Sequence, residues 1–169
     1  MMRNLASLQD LATARLDLRP LRLADAAALR DLSDDPAILS AIPFLSTPFT
    51  LSNAEDLIRR GENGRDCFLG GSTREPHCLV CVVGAHLRGA GEIEIGYWVG
   101  TQYQGKGYAS EAGRAVVSAL RREFPAMRIV AECRPENAAS WRVLEKLGFG
   151  PTGRAGTREG RELLALDPG

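Results

Sequence analysis

The sequence predicts an α/β (α+β) fold, a mixed and largely antiparallel sheet of about six to seven strands with helices on both faces. Three observations predict it. Stretches alternating at period two and stretches repeating at helical spacing follow in the order β α α β β β α β α β β, which calls for one sheet covered on both sides. The three central strands are joined by turns short enough for antiparallel hairpins. One strand also runs through a glycine-rich turn directly into the longest helix.

Taken in order, residues 14–20 (Ala-Arg-Leu-Asp-Leu-Arg-Pro) alternate apolar and polar as a first strand. Asp25 to Leu32 places Ala26, Leu29 and Leu32 on one helical face. The apolar stretch Ala41 to Phe49 is broken by two prolines and reads as a loop. Ser52-Asn53-Ala54-Glu55 has capping-box spacing and opens a second helix to about Arg60. Cys67–Ser72, His77–Leu87 and Glu92–Val99 are the central strands, turning at Glu75-Pro76 and Arg88-Gly89-Ala90-Gly91. Ser110 to Phe124 is the best helix, with Ala112, Val116, Ala119 and Leu120 as its apolar stripe and Pro125 as its stop. Arg128–Cys133 is a strand, and Ala138–Leu147 is a helix ended by Gly148. Gly150–Arg154 and Arg161–Leu166 make a last pair of strands.

A chain of 169 residues, 44% hydrophobic and 25% charged, is expected to form a single domain over 1–169. Its 21 basic and 21 acidic residues cancel, which argues against a nucleic-acid binder that relies on a broad cationic field. Only Lys106 and Lys146 are lysines, so 21 − 2 = 19 basic residues are scattered arginines. The start, Met1-Met2-Arg3-Asn4-Leu5, carries no apolar signal region, and no apolar run approaches the ~20 residues that span a bilayer. The expectation is a cytoplasmic protein without a membrane partner, its four cysteines (67, 78, 81, 133) reduced. His77-Cys78-x-x-Cys81 with His86 resembles a zinc site on paper. Three residues apart on a regular strand, however, Cys78 and Cys81 point to opposite faces, so no metal is expected.

The strand Glu92–Val99 enters Gly100-Thr101-Gln102-Tyr103-Gln104-Gly105-Lys106-Gly107-Tyr108-Ala109 and then a helix. Such a joint is an anion site, because first-turn N–H groups lack helical partners and glycines let a phosphate approach the backbone. Gly100-x4-Gly105-Lys106 matches most of a nucleotide-binding P-loop, but the position that should carry a magnesium-binding hydroxyl is Gly107. The turn instead matches the acyl-CoA pattern [QR]-x-x-G-x-[GA], as Gln104-x-x-Gly107-x-Ala109.

On these residues the chain resembles the GNAT superfamily of N-acetyltransferases, and within it the RimJ/RimL type, which acetylates protein N-termini. The opening strand Arg15 to Leu21, Glu94-Ile95-Gly96-Tyr97-Trp98-Val99, Gly105–Ala112, and Asn137-x-x-Ser140 with Leu147-Gly148-Phe149 agree in order, so the resemblance spans Arg15 to Leu166. It implies a GNAT-type sheet and acetyl-CoA as cosubstrate, without a metal. It implies cofactor contacts from Gln104, Gly105, Lys106, Gly107, Tyr108, Ala109, Asn137 and Ser140. It also implies a backbone N–H near Val99 that holds the acetyl carbonyl. Members usually carry a bulge in the Glu92–Val99 strand, which would shift its alternation by one.

Acetylating an amine needs a proton acceptor, since a lysine amine (pKa ~10.4) or an α-amine (~7.7–8.0) is mostly protonated at neutral pH. In a regular strand Glu92, Glu94, Gly96 and Trp98 share a face, which makes Glu94 the first candidate base and Glu92 the second. Asn137 reads as an N-cap with Ser140 at N3. The resemblance adds a pantetheine contact for Asn137 and thiolate protonation for Ser140. Many superfamily members use a tyrosine seven residues after the Asn as the acid, and here that residue is Leu144. Cys133 ends a strand near the expected acetyl site, where a covalent relay would need an activating base. His86 lies near a strand end that could face the acceptor. Ile42–Phe49 and the arginine-rich turn Arg154–Arg161 are the expected acceptor walls. The sequence thus leads to transfer from acetyl-CoA to a primary amine, on a small molecule or a protein N-terminus, by a monomer or homodimer. The rival is a non-catalytic acyl-CoA-binding or sensor domain.

Overall fold

The computed structural model of the chain describes residues 4–89 and 91–167. Met1–Arg3 of the N-terminal reading and Ala90 of the second predicted turn lie outside the described residues. The strands are β1 (Leu11–Ala12), β2 (Asp17–Pro20), β3 (Asp66–Thr73), β4 (Cys78–Arg88), β5 (Glu92–Val99), β6 (Arg128–Cys133), β7 (Phe149–Ala155) and β8 (Glu162–Leu166). The helices are α1 (Ala26–Ser33), α2 (Pro36–Ala41), α3 (Leu51–Arg60), α4 (Tyr108–Glu123) and α5 (Ala138–Lys146). The strands form one sheet in the order β1-β2-β3-β4-β5-β6-β8-β7, antiparallel at every pairing except β5 with β6. Among the described residues eight strands stand where six to seven are expected: the two-residue β1 lies ahead of the predicted first strand, which itself starts only at Asp17, after a turn at Thr13–Leu16.

Two of the helical expectations change. Between the first predicted helix and the predicted loop, residues given no element form α2, capped by the Asp35 side chain with Pro36 in the first turn; only Ala41 of the loop is helical. The capping box of α3 is Thr50 with Asn53 rather than Ser52 with Glu55, so α3 begins at Leu51.

Alternation along the strands builds two cores. Leu21, Phe68, Val82 and Trp98 pack under Ala26, Leu29, Ile38 and Leu57 of α1–α3. Leu69, Val83, Ile93, Ile95 and Ile129 pack under Val116, Leu120 and Leu144 of α4 and α5. Trp98 is tied to α1 by its indole N–H, which donates to Ser33 Oγ at 2.9 Å inside the first core. No helix among the described residues is long and apolar enough to cross a membrane.

β5 pairs with β4 without a register shift, so the alternation expected for a regular strand holds and the bulge implied by the resemblance is absent from β5. The irregularity lies one pairing away. Gly71 faces Cys81 while Ser72 faces Leu79, which leaves Val80 of β4 as the extra residue. This bulge moves Cys78 and Cys81 onto the same side of the sheet, against α4, and corrects the expectation that they face opposite ways. Their thiols part all the same: Cys78 Sγ is 3.0 Å from the Tyr103 hydroxyl, and Cys81 Sγ lies over Gly71. Among the described residues no group of three or more His, Cys, Asp or Glu is placed to hold a metal ion.

The parallel pairing is short. β5 and β6 meet only at Glu92–Arg128, Ile93–Ile129 and Glu94–Val130. Beyond that point β6 pairs with β8 and β5 with β4, and the two strands part.

Replacing Ser33 with alanine leaves the buried Trp98 N–H without an acceptor. Urea denaturation of Ser33→Ala is expected to show a loss of about 1–3 kcal/mol with an unchanged m-value.

Candidate active site

The parting of β5 and β6 opens a cavity of about 780 Å³ that continues from the N-terminus of α4 to the loop after α2. At one end lies the glycine turn. Gly105 (φ 75°) and Gly107 (φ 82°) both adopt the left-handed conformation, and Gly107 is the N-cap of α4 without any side-chain cap. Among the described residues the N–H groups of Tyr108, Ala109 and Ser110 have no protein acceptor; the helical ladder starts with Glu111 N–H to the Gly107 carbonyl. All three residues line the cavity, which gives an open set of donors at the positive end of a 16-residue helix.

Two contacts fix this turn. The Gln104 amide donates to the Val99 carbonyl at 3.1 Å, closing the loop onto the end of β5. Glu111, in the first turn of α4, accepts from Thr13 Oγ1 (2.6 Å) and from Arg15 N–H and Nε (2.8 and 2.7 Å). Partial burial works against the Glu111 carboxylate, but these hydrogen bonds outweigh it and hold its pKa below the ordinary value.

In the middle of the cavity, Val99, Tyr97, Asn137 and Ser140 face one another across the parted strands. Asn137 caps α5 by accepting from Ser140 N–H at 3.1 Å. Tyr97 reaches from β5 to α5: its hydroxyl donates to the Ser140 carbonyl at 3.1 Å and sits 2.8 Å from Ser140 Oγ. Burial pushes the Tyr97 phenol up to about 12, so it stays protonated at neutral pH. Cys133 is buried beside them, and burial raises its thiol pKa too, which leaves the relay without a ready thiolate.

At the far end, Glu94 is 5% exposed and held by two guanidinium groups. Arg88 Nε donates to one carboxylate oxygen and Arg158 Nη2 to the other, both at 2.7 Å. Arg158 also reaches Glu132 of β6 at 3.2 Å, so Glu94–Arg158–Glu132 spans the gap between β5 and β6. Ile42, Pro43, Phe44, Arg158 and Arg161 line this end, as do His86 and Gly84.

Of the residues singled out in the sequence, Gln104, Gly105, Gly107, Tyr108, Ala109, Val99, Asn137, Ser140 and Glu94 meet in this one cavity. Lys106 and Glu92 do not line it. Lys106 Nζ stands 6.0 Å from the centre of the Tyr103 ring. Glu92, at the closed end of the β5–β6 pairing, is 3.6 Å from Arg128 Nη1. Sequence reasoning missed Tyr97 as the partner of Ser140, because it sits among apolar residues on the core face. It also missed the Arg88–Glu94–Arg158 clamp, because Arg158 is 64 residues from Glu94.

A mixed sheet that parts beside a helix N-terminus, with a glycine cradle at one end of the gap, is the architecture of an acyl-CoA-dependent acetyltransferase. The acetyltransferase (GNAT) domain family matches residues 15–150, and the chain belongs to that family, whose acyl donor is acetyl-CoA. The chain is 31% identical over 140 residues to an uncharacterized N-acetyltransferase, YnaD of Bacillus subtilis (strain 168), with 82% of this chain and 81% of that protein covered. Its fold matches a GNAT-family acetyltransferase from Bacillus anthracis with a TM-score of 0.81 at 24% identity, over 94% of this chain and 98% of that one. It matches RimJ of Mycobacterium smegmatis, solved in complex with CoA-disulfide, with a TM-score of 0.80 at 23% identity, over 98% and 90% of the two chains.

An alanine at Gly107 carries a Cβ into the left-handed region, at a cost of roughly 1–2 kcal/mol. Gly107→Ala is expected to lower the melting temperature modestly and to weaken CoA binding by calorimetry. Unchanged CoA affinity would show that the turn is not the cradle.

Proposed function

We propose that this acetyltransferase moves the acetyl group of acetyl-CoA directly to a primary amine, of a protein N-terminus or of a small molecule, in a ternary complex in the cytoplasm. The observation that carries the proposal is the continuous cavity: it joins unpaired helix N–H groups to a buried polar end through the gap between β5 and β6.

In this reading the pyrophosphate rests on the N–H groups of Tyr108, Ala109 and Ser110, and the pantetheine arm runs along β5 past Val99 toward Asn137. An N–H at the parted edge of β5 near Val99 polarises the thioester carbonyl. The amine nitrogen attacks that carbon, the C–N bond forms and the C–S bond breaks. Ser140 Oγ, backed by the Tyr97 phenol at 2.8 Å, supplies a proton to the departing thiolate. This pair stands in for the tyrosine that Leu144 replaces. Glu94 was expected to act as the base. Because Arg88 and Arg158 each occupy one of its oxygens, we assign it instead to docking the incoming amine through the lone pairs that remain.

Thiol release from acetyl-CoA, followed across small amines, amino acids and short peptides with free N-termini, tests the proposal. At least one class should be turned over, and Ser140→Ala should lower kcat by about 10²-fold or more with little change in the KM for acetyl-CoA. CoA at about 100 times its Kd should stabilise the fold by about 2.7 kcal/mol. Stabilisation by Mg-ATP in place of CoA would overturn the assignment of the turn. Tight CoA binding with no turnover of any amine would favour a sensor.

A further inference from the structure

We infer that His86 is the general base of the transfer and that Asp66 is its positioning residue. The inference rests on the acetyltransferase reading above and names a residue for the step that Glu94 leaves open. His86 is 4% exposed, yet it lines the cavity at the acceptor end. Its Nδ1 is 2.6 Å from Asp66 Oδ1. Among the described residues its Nε2 has no hydrogen-bond partner, and it is not one of the fully enclosed, unpartnered polar atoms, so it is open to the cavity. A carboxylate on Nδ1 fixes the tautomer with the proton on that nitrogen and leaves the Nε2 lone pair as the acceptor.

The neighbouring strands clear space for that lone pair. His86 lies opposite Glu94, and the next pair on the same face is Gly84 opposite Gly96. A Cβ on Gly84 would come within 2.8 Å of His86 Nε2, while a Cβ on Gly96 would meet no protein atom within 4 Å. Gly84 thus makes room for the imidazole itself, which fills that space together with Phe68, and Gly96 leaves the sheet bare beside it, where an acceptor amine has room to sit. Phe44 and Phe68 stand edge-on to the ring at 6.4 and 5.3 Å and close it off from bulk solvent.

Burial keeps the imidazole neutral. Burial lowers the His86 pKa below its ordinary value of about 6.5, against the raising effects of Asp66 and Glu94 and together with the lowering effect of Arg88. Asp66 is itself held ionised: burial opposes this, but hydrogen bonds from His86, from Arg60 of α3 and from Asn63 prevail. Glu94 has Arg88 and Arg158 on its two oxygens and is the less available acceptor of the two. In the reaction, Nε2 takes the proton from the nitrogen as the C–N bond forms, the thiolate takes its proton from Ser140, which regains one from water, and the imidazolium releases its proton to water.

The experiment compares wild type, His86→Gln and Asp66→Asn with the best acceptor from the amine panel, reading kcat/KM against pH together with the KM for acetyl-CoA. Wild type is expected to lose activity as the pH falls through a value below about 6.5, where Nε2 becomes protonated. That limb should be missing in His86→Gln, with kcat/KM lower by about 10²–10⁴-fold at neutral pH and the KM for acetyl-CoA retained. In Asp66→Asn the limb should move to lower pH, because Asp66 raises the imidazole pKa, and the activity loss should be smaller. A purely structural histidine would not move the limb in this way. CoA-induced thermal stabilisation of each variant reports that it is folded. Full activity of a folded His86→Gln, or the same limb in all three proteins, overturns the inference while leaving the transferase reading standing. No transfer to any amine by wild type overturns both.

Discussion

The arrangement of this protein depends on an unfinished parallel pairing. β5 and β6 share three residue pairs and then part, yet the sheet does not come open, because each face of the gap is bridged. On the side of α1–α3, Arg158 links Glu94 of β5 to Glu132 of β6. On the side of α4 and α5, the Tyr97 hydroxyl of β5 reaches Ser140. Backbone polar groups along a parted edge need partners from somewhere, and a bound chain that carries amides can supply them. The pantetheine arm of CoA is such a chain. In the proposed function the gap is a strand-shaped slot rather than a defect in the sheet.

Everything that the proposed function assigns to the substrates is hung on this slot from rigid elements. The anion site belongs to the N-terminus of α4, and Glu111 straps that first turn to the turn between β1 and β2. The hydroxyl pair belongs to β5 and α5. The acceptor end belongs to β3, β4 and the turn between β7 and β8, which Arg158 and Thr157 pin to the buried carboxylate of Glu132. Burial works against that carboxylate, and the hydrogen bonds from Thr157 with the charge of Arg158 hold it ionised.

Much of the fold was legible in the sequence because its signals are local. Period-two alternation located β3 to β6 to within a residue or so, and Gly148 and Pro125 marked the ends of α5 and α4. The glycine turn was legible for the same reason: Gly105 and Gly107 adopt the positive φ their identity allows. α2 was not legible because six residues are too few for a helical period to stand out. The Val80 bulge was invisible because a bulge is set by register against a partner strand, and it reversed the reasoning about Cys78 and Cys81. The acceptor end was the least legible part. Arg158 and Glu94, Tyr97 and Ser140, and His86 and Asp66 are 64, 43 and 20 residues apart and meet only through the sheet order.

The central claim is that CoA lies in the gap between β5 and β6 with its pyrophosphate on the first turn of α4. Amide hydrogen exchange with and without CoA tests it most directly. The account predicts that CoA slows exchange at Tyr108, Ala109 and Ser110, whose N–H groups have no acceptor among the described residues, and along the parted half of β5 from Ile95 to Val99. Protection confined to other segments, with these amides exchanging as in the free protein, would contradict it.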